Sequence, residues 1–228
     1  MKKFLAMLLS AALLCPAMAM AEDTIKIGIF EPMTGATAAG GSMEKEGFDL
    51  ANELYPDVLG KKIELVYGDN KSDRAEATLA AQSLVDKGVV AVLGSYGSGL
   101  SMAGGEVFAE NEIPALTATA TNPTITLDCE WYARICFIDP FQGEKMASYA
   151  VEKLGAKTAA VFFQTGSDYS EGLMNAFAEE AKAIGLEIVD TEAFAEGDKD
   201  FKAQMTNIAS KNPDVVFCPI YYGEAGLA

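Results

Sequence analysis

The stretch with the most chemical content runs from Gly88 to Pro123. It reads GVVAVLGSYGSG, then an amphipathic run, then EIPALTATATNP. In each half an apolar strand breaks into Ser, Thr and Gly where the next element should begin. In an open α/β sheet such breaks fall at the carboxyl edge of the strands, where ligands bind. Hydroxyls, free backbone N–H groups and helix N-termini there attract negative charge. The chemistry indicated is non-covalent capture of a small anionic group in a polar cradle.

Other chemistries find little support. The chain has no histidine, which removes the commonest general base and the commonest metal ligand. Carboxylate chemistry remains open, with Asp139 and Asp168 as its candidates, and it would need the pair to face one cleft. There is no CxxC, so no zinc site is expected. Gly97-Ser98-Gly99 lacks the third glycine of a dinucleotide loop and follows the third strand rather than the first. Ser98 has Tyr96 two places before it, where a nucleophile elbow requires glycine. The acidic run from Glu171 to Glu180, and Glu44 with Glu46, read as solvated helix faces. No cofactor and no metal are expected.

These residues must be positioned by a regular scaffold, and the pattern alternates strand and helix throughout. Strands are expected at Thr24–Phe30, Lys62–Tyr67, Val89–Leu93 and Pro114–Thr117. Helices are expected at Met43–Leu54, Asp73–Lys87 and Leu100–Glu110, with Asp73 as an N-cap and Gly88 as a stop. Connections of this length imply parallel pairing with helices on both faces. Between Thr117 and Pro140 the rhythm changes, with an aromatic strand at Trp131–Ile138. A second α/β unit follows: helix Phe141–Leu154, strand Thr158–Phe163, helix Tyr169–Ile184, strand Glu187–Phe194, helix Phe201–Ser210 and strand Val215–Pro219. The last strand has no full helix after it, and the chain is expected to be a fragment of a longer one.

The chain has 228 residues and a net charge of −16. Residues 1–21 read as a cleaved leader: Lys2 and Lys3, an apolar run from Phe4 to Leu14, and a small-x-small site at Ala19-Met20-Ala21, with Ala17-Met18-Ala19 as a second. That run is too short to span a bilayer. Cys15, between Leu14 and Pro16, does not fit a lipidation motif. Without the leader the charge is −18, which repels nucleic acid and anionic lipid. Neither nucleic acid nor a membrane anchor is expected. In an exported chain Cys129 and Cys136 are expected to form a disulfide, the alternative being two reduced, buried thiols. Cys218, in an apolar run, reads as a core residue.

The motifs TIKIGIFEPMTGATAAGG, VAVLGSYGSG, PALTATATNP, RICFIDPFQG and DYSEG, in this order after a leader, resemble the branched-chain amino acid-binding proteins of ABC importers. These are type 1 periplasmic binding proteins. The resemblance implies two Rossmann-like doubly wound parallel-sheet lobes, 22–139 and 140–228, the second and the hinge incomplete. It implies a monomer in the periplasm that closes over a small amino acid or related carboxylate or amide and delivers it to a permease in the inner membrane. It implies that Ser98 binds the ligand carboxylate, a role compatible with capping the next helix. Thr119 and Thr121 would donate around the same ligand end. Tyr169 would cover the ligand from the second lobe, with Tyr221, or alternatively Tyr222, beside it. Gly40 and Gly41 would fall in a loop lining the cleft, where some relatives carry a large aromatic and this chain does not. Among relatives the ligands include aliphatic amino acids, short amides and aromatic acids. The same fold in a sensor, or a secreted α/β enzyme, are the rival readings.

Overall fold

The computed structural model describes residues 24–127 and 129–228. The leader expected over residues 1–21 lies outside the described residues. In the first half the order is β1 (Ile25–Glu31), α1 (Ala38–Leu54), β2 (Asp57–Val58), β3 (Lys61–Asp69), α2 (Arg74–Asp86), β4 (Ala91–Leu93), α3 (Ser98–Glu110), β5 (Ala115–Thr117), a 3₁₀ turn (Pro123–Ile125) and β6 (Tyr132–Arg134). The second half adds α4 (Asp139–Glu152), β7 (Thr158–Gln164), α5 (Asp168–Ile184), β8 (Glu187–Phe194), α6 (Lys202–Lys211), β9 (Val215–Phe217) and α7 (Tyr222–Ala225).

Two sheets result. The first runs β2-β3-β1-β4-β5-β6 and the second β8-β7-β9. Every pairing is parallel except β2 with β3, an antiparallel hairpin through Leu59 and Gly60. The sequence pattern missed that hairpin because a two-residue strand carries no periodicity. Both turn residues have positive φ, 53° and 75°, which the turn chemistry of glycine favours. The aromatic segment expected as strand Trp131–Ile138 contributes only Tyr132–Arg134 to the sheet.

Burial follows from the strand alternation. In β7, Ala159 and Val161 face a core with Ala147 and Ala150 of α4 and Phe177 and Ala181 of α5. Ala160 and Phe162 face the opposite way, onto Phe194, Phe201 and Ile208. The strand is therefore buried on both faces, as a doubly wound parallel sheet requires. In the first sheet Phe30 packs on Phe108 edge-to-face, with ring centroids 5.4 Å apart, in a core shared with Leu84, Val92 and Val107. Helix starts follow local chemistry: Asp73 caps α2 by accepting the Glu76 N–H at 2.9 Å, and Gly88 takes φ +74° just past its end.

The expected disulfide is not formed: Cys129 and Cys136 are free thiols. The intervening residues do not turn back. They extend as β6 along β5, pairing Ala115 with Tyr132 and Thr117 with Arg134. Cys129 consequently packs on the first core, while the Cys136 thiol reaches the Ala120 carbonyl at 3.5 Å. Cys218 is exposed just past the edge strand β9 rather than in a core.

α4 and α5 touch through Gly143, where an added Cβ would come within 2.6 Å of both the Ala176 Cβ and the Phe177 backbone nitrogen. Gly143→Ala should therefore destabilise the fold by about 1–3 kcal/mol, the usual range for overpacking. Urea unfolding measures it, and an unchanged midpoint would mean that the two helices separate freely.

Candidate functional site

Both sheets reverse their winding direction in a way that opens a crevice. From β1 the chain moves outward to β3, then returns to β4 on the other side of β1. From β7 it moves to β8, then returns to β9 on the other side of β7. Loops leaving the carboxyl ends of such neighbouring strands diverge, and the gap between them is where ligands bind. Glu31 and the segment Gly94–Ser98 lie at the first gap. Tyr169 and Tyr221 lie at the second.

The segment after β4 is held by buried polar groups. The Tyr96 N–H donates to Glu31 Oε2 at 2.8 Å. Asn70 Nδ2 donates to the Ser95 hydroxyl at 2.8 Å. The Ser95 carbonyl accepts from Ser101 at 2.9 Å and Thr117 at 3.1 Å, and the Tyr132 hydroxyl donates to the Gly94 carbonyl at 2.6 Å. This leads directly into Ser98, the first residue of α3. The cap of that helix is Gly97, so Ser98 is not the N-cap. Its oxygen accepts the Asn122 N–H at 3.2 Å, which leaves its own proton free to donate.

A cavity of about 260 Å³ is lined by Ser98, Thr119 and Thr121 from the first sheet's edge and by Tyr169, Tyr221 and Ile220 from the second, with Tyr96 and Phe137 beside them. Ser98, Thr119, Thr121, Tyr169 and Tyr221, all expected at the site, are thus brought together, and so is the alternative Tyr222. Tyr169 stacks on Tyr221 with centroids 5.1 Å apart, and Tyr221 leans on Tyr96 at 5.8 Å. Burial pushes the Tyr169 hydroxyl up to about 12 and raises that of Tyr221 further, so both stay neutral donors. A second cavity of about 420 Å³ shares Gly97 and Tyr221 and continues the cleft past Arg74 and Asp168.

Gly40 is the exception. It lies inside α1, not in a loop, and lines neither of these cavities. A Cβ there would come within 2.6 Å of the Tyr96 ring, and one on Gly41 within 2.5 Å of the Pro32 carbonyl. Gly40 acts by its missing side chain: it admits Tyr96, which supplies the aromatic wall from a different element. Two further expectations are corrected. Glu46 is exposed, but Glu44 turns inward and accepts the Thr119 hydroxyl, so that proton is not available to a ligand carboxylate. Asp139 is fully buried and Asp168 pairs with Arg74, so these two do not form a carboxylate pair facing one cleft.

Sequence reasoning missed the contacts that join the two halves. Arg74 of α2 forms an ion pair with Asp168 of α5. Asn122 Nδ2 donates to the Asp168 carbonyl at 2.8 Å. The Tyr222 hydroxyl donates to the Ala36 carbonyl and accepts the Ala39 N–H, both at 3.1 Å. No local pattern marks such long-range partners; the sequence reading brought only Tyr222, as the alternative to Tyr221, near the cleft.

The profile of the periplasmic binding protein family matches residues 24–225. The chain belongs to that family. It is 32% identical over 207 residues to Leu/Ile/Val-binding protein homolog 3 of Brucella melitensis, an alignment covering 89% of this chain and 56% of that protein. Among solved structures, the leucine binding protein LivK of Thermotoga maritima superposes with a TM-score of 0.86 at 40% identity, covering 89% of this chain and 58% of that one. The branched-chain amino acid transporter substrate binding protein LivJ of Streptococcus pneumoniae, solved with isoleucine, gives 0.83 at 36% identity, covering 89% and 59%. The fold is thus that of the type 1 periplasmic binding proteins, with two α/β lobes. The chain spans a little over half the length of these relatives. Among the described residues no helix is long and apolar enough to cross a membrane, and no cluster of His, Cys, Asp or Glu is suited to a metal ion.

Glu31 gives the site a pH dependence. Burial and the neighbouring Glu44 push its carboxyl from 4.5 up to about 10, against the pull of the Tyr96 N–H. The other titratable groups facing this pair are Tyr96, Tyr132 and Cys136. A carboxyl raised in the folded state stabilises fully below its unfolded value, and that contribution is lost as pH rises through the folded one. Glu31→Gln should accordingly gain stability relative to the parent between about pH 5 and about pH 9. Parallel stability curves in chemical denaturation would contradict this.

Proposed function

We propose that the chain is the ligand-capturing part of an extracytoplasmic solute-binding protein that takes up a small amino acid, of the branched-chain class or a close relative, for an ABC importer. The observation that carries this reading is the convergence of Ser98 and Thr121 from one lobe with Tyr169 and Tyr221 from the other on a single cavity of about 260 Å³. Drug-sized ligands occupy roughly 300–1,000 Å³, so the space suits a smaller solute. The isoleucine bound to LivJ of Streptococcus pneumoniae is a solute of this kind.

The geometry supports a division of labour. The free proton of Ser98 and the N-terminus of α3 suit a carboxylate, which needs several converging donors to replace lost water. Phe137 and Ile220 give the wall an apolar part for an aliphatic side chain. The tyrosine faces from the second lobe close over it. A ligand touching both lobes favours their closed arrangement, and that population shift is the whole mechanism. No catalytic step is involved.

The leader at residues 1–21 would be removed on export to the periplasm. The mature chain would act as a monomer with lobes at 22–139 and 140–228, its cargo passing to an inner-membrane permease. Isothermal titration of the full chain with leucine, isoleucine and valine tests the reading. Ser98→Ala should weaken binding by about 1–3 kcal/mol, the worth of a hydrogen bond to a charged group. An unchanged affinity would remove Ser98 from the site, and no heat with any of the three would refute the ligand class.

A further inference from the structure

Two carboxylates lie behind the cavity wall, and the reading above gives them no task. Glu31 ends β1 and is 0% exposed. Glu44 meets it from α1. Each has one oxygen already engaged: Glu31 Oε2 accepts the Tyr96 N–H at 2.8 Å, and Glu44 Oε1 accepts the Thr119 hydroxyl. Each also has one buried oxygen that no donor reaches, Glu31 Oε1 and Glu44 Oε2. The two carboxyl groups act on one another at close quarters: Glu44 pushes the Glu31 carboxyl up, and Glu31 pulls that of Glu44 down. Two negative charges at that range in a dry interior repel strongly, and one of the groups keeps its proton. Burial raises both carboxyls, that of Glu31 further through the charge of Glu44, while hydrogen bonds from Thr119 and Glu31 act to lower that of Glu44, so the proton is assigned to Glu31 and the charge to Glu44.

The consequence falls on Thr119. A hydroxyl has one proton and two lone pairs, and an ionised carboxylate only accepts. The Thr119 proton therefore points at Glu44, and its lone pairs are what remain for the cleft, which Thr119 lines. A ligand carboxylate placed there would meet lone pairs with a negative charge directly behind them. A protonated amine placed there would donate into them. Ser98, on the same wall, has the opposite polarity, because its oxygen is already engaged by Asn122 and its proton is free. The cavity thus has a donor end and an acceptor end.

We propose that Glu44 is a specificity-determining positioning residue: by fixing the Thr119 hydroxyl as an acceptor, it makes the cleft select a ligand with a cationic nitrogen beside its carboxylate over the same acid without the nitrogen. This deepens the reading under Proposed function and rests on it. It also reverses the role expected for Thr119, from carboxylate donor to amine acceptor.

Isothermal titration of the full chain with L-leucine and with 4-methylpentanoate, the same skeleton lacking the amine, tests it. The parent should bind leucine at least about tenfold tighter, the discrimination expected of one charge-assisted hydrogen bond. Glu44→Gln and Thr119→Val should each weaken leucine about tenfold and leave 4-methylpentanoate unchanged or tighter, so that the ratio collapses. A role confined to folding would weaken both ligands alike; that result, or an unaltered ratio, overturns the proposal. Should Glu44→Gln fail to fold, Thr119→Val decides alone. If the parent binds neither compound, the amino acid reading itself fails. Carbon-13 spectra of glutamate-labelled protein at neutral pH then decide the arrangement independently. One protonated and one ionised carboxyl, the ionised signal vanishing in Glu44→Gln, supports it, and two ionised carboxyls or a protonated Glu44 refutes it.

Discussion

The segment Gly94–Ser98 has to be held still, and the site depends on how that is done. Five elements contribute a polar group to it: Glu31 from β1, Asn70 from the end of β3, Ser101 from α3, Thr117 from β5 and Tyr132 from β6. All five are buried. Backbone groups taken out of water must be paired, and a partly satisfied network costs more than an apolar core. Here, apart from Ser101 of α3, the pairing is made from strands or their ends, which cannot shift without disturbing the sheet. The hydroxyl of Ser98 is consequently presented from a rigid base, although it sits at the end of a connection.

The second lobe is organised differently. Its contribution to the cavity is mainly aromatic: Tyr169 stacks on Tyr221, which leans on Tyr96 of the first lobe, and Tyr222 beside them donates to the Ala36 carbonyl and accepts the Ala39 N–H. Tyrosine loses little conformational freedom when it packs, and it offers both a flat apolar face and a polar tip. One wall therefore supplies fixed direction and the other supplies covering area. For the capture proposed above, that asymmetry would let the covering wall move away as a body while the directing wall stays in place.

Much of this was legible in the residues. β8 falls where its β-branched run places it, Asp73 caps its helix, and the Ser/Thr/Gly breaks after β4 and β5 do lie at a sheet edge. What local pattern could not give was partnership. Periodicity reports which residues are buried but not what they meet. Glu44 read as a solvated helix position because its neighbours Lys45 and Glu46 are charged, yet it turns toward Glu31, which is thirteen residues earlier in the chain. The start of α1 was hidden for a related reason: Ala39-Gly40-Gly41 has weak helix propensity, and the helix is kept by the close approach of Pro32 and Tyr96. Cys129 and Cys136 were close enough in sequence to suggest a bridge, and only strand pairing decided that they would diverge.

The ion pair between Arg74 and Asp168 joins the two lobes outside the enclosed part of the cleft, with side chains 55% and 34% exposed. Charges so placed are screened by dissolved ions over about 10 Å at 0.1 M. The pull they exert across the gap therefore declines as the surroundings become more saline, whereas the stacked rings deeper inside are indifferent to electrolyte. For the clamp-like capture proposed above, the lifetime of a shut form would in this way be tied to the salinity of the medium as well as to the bound solute.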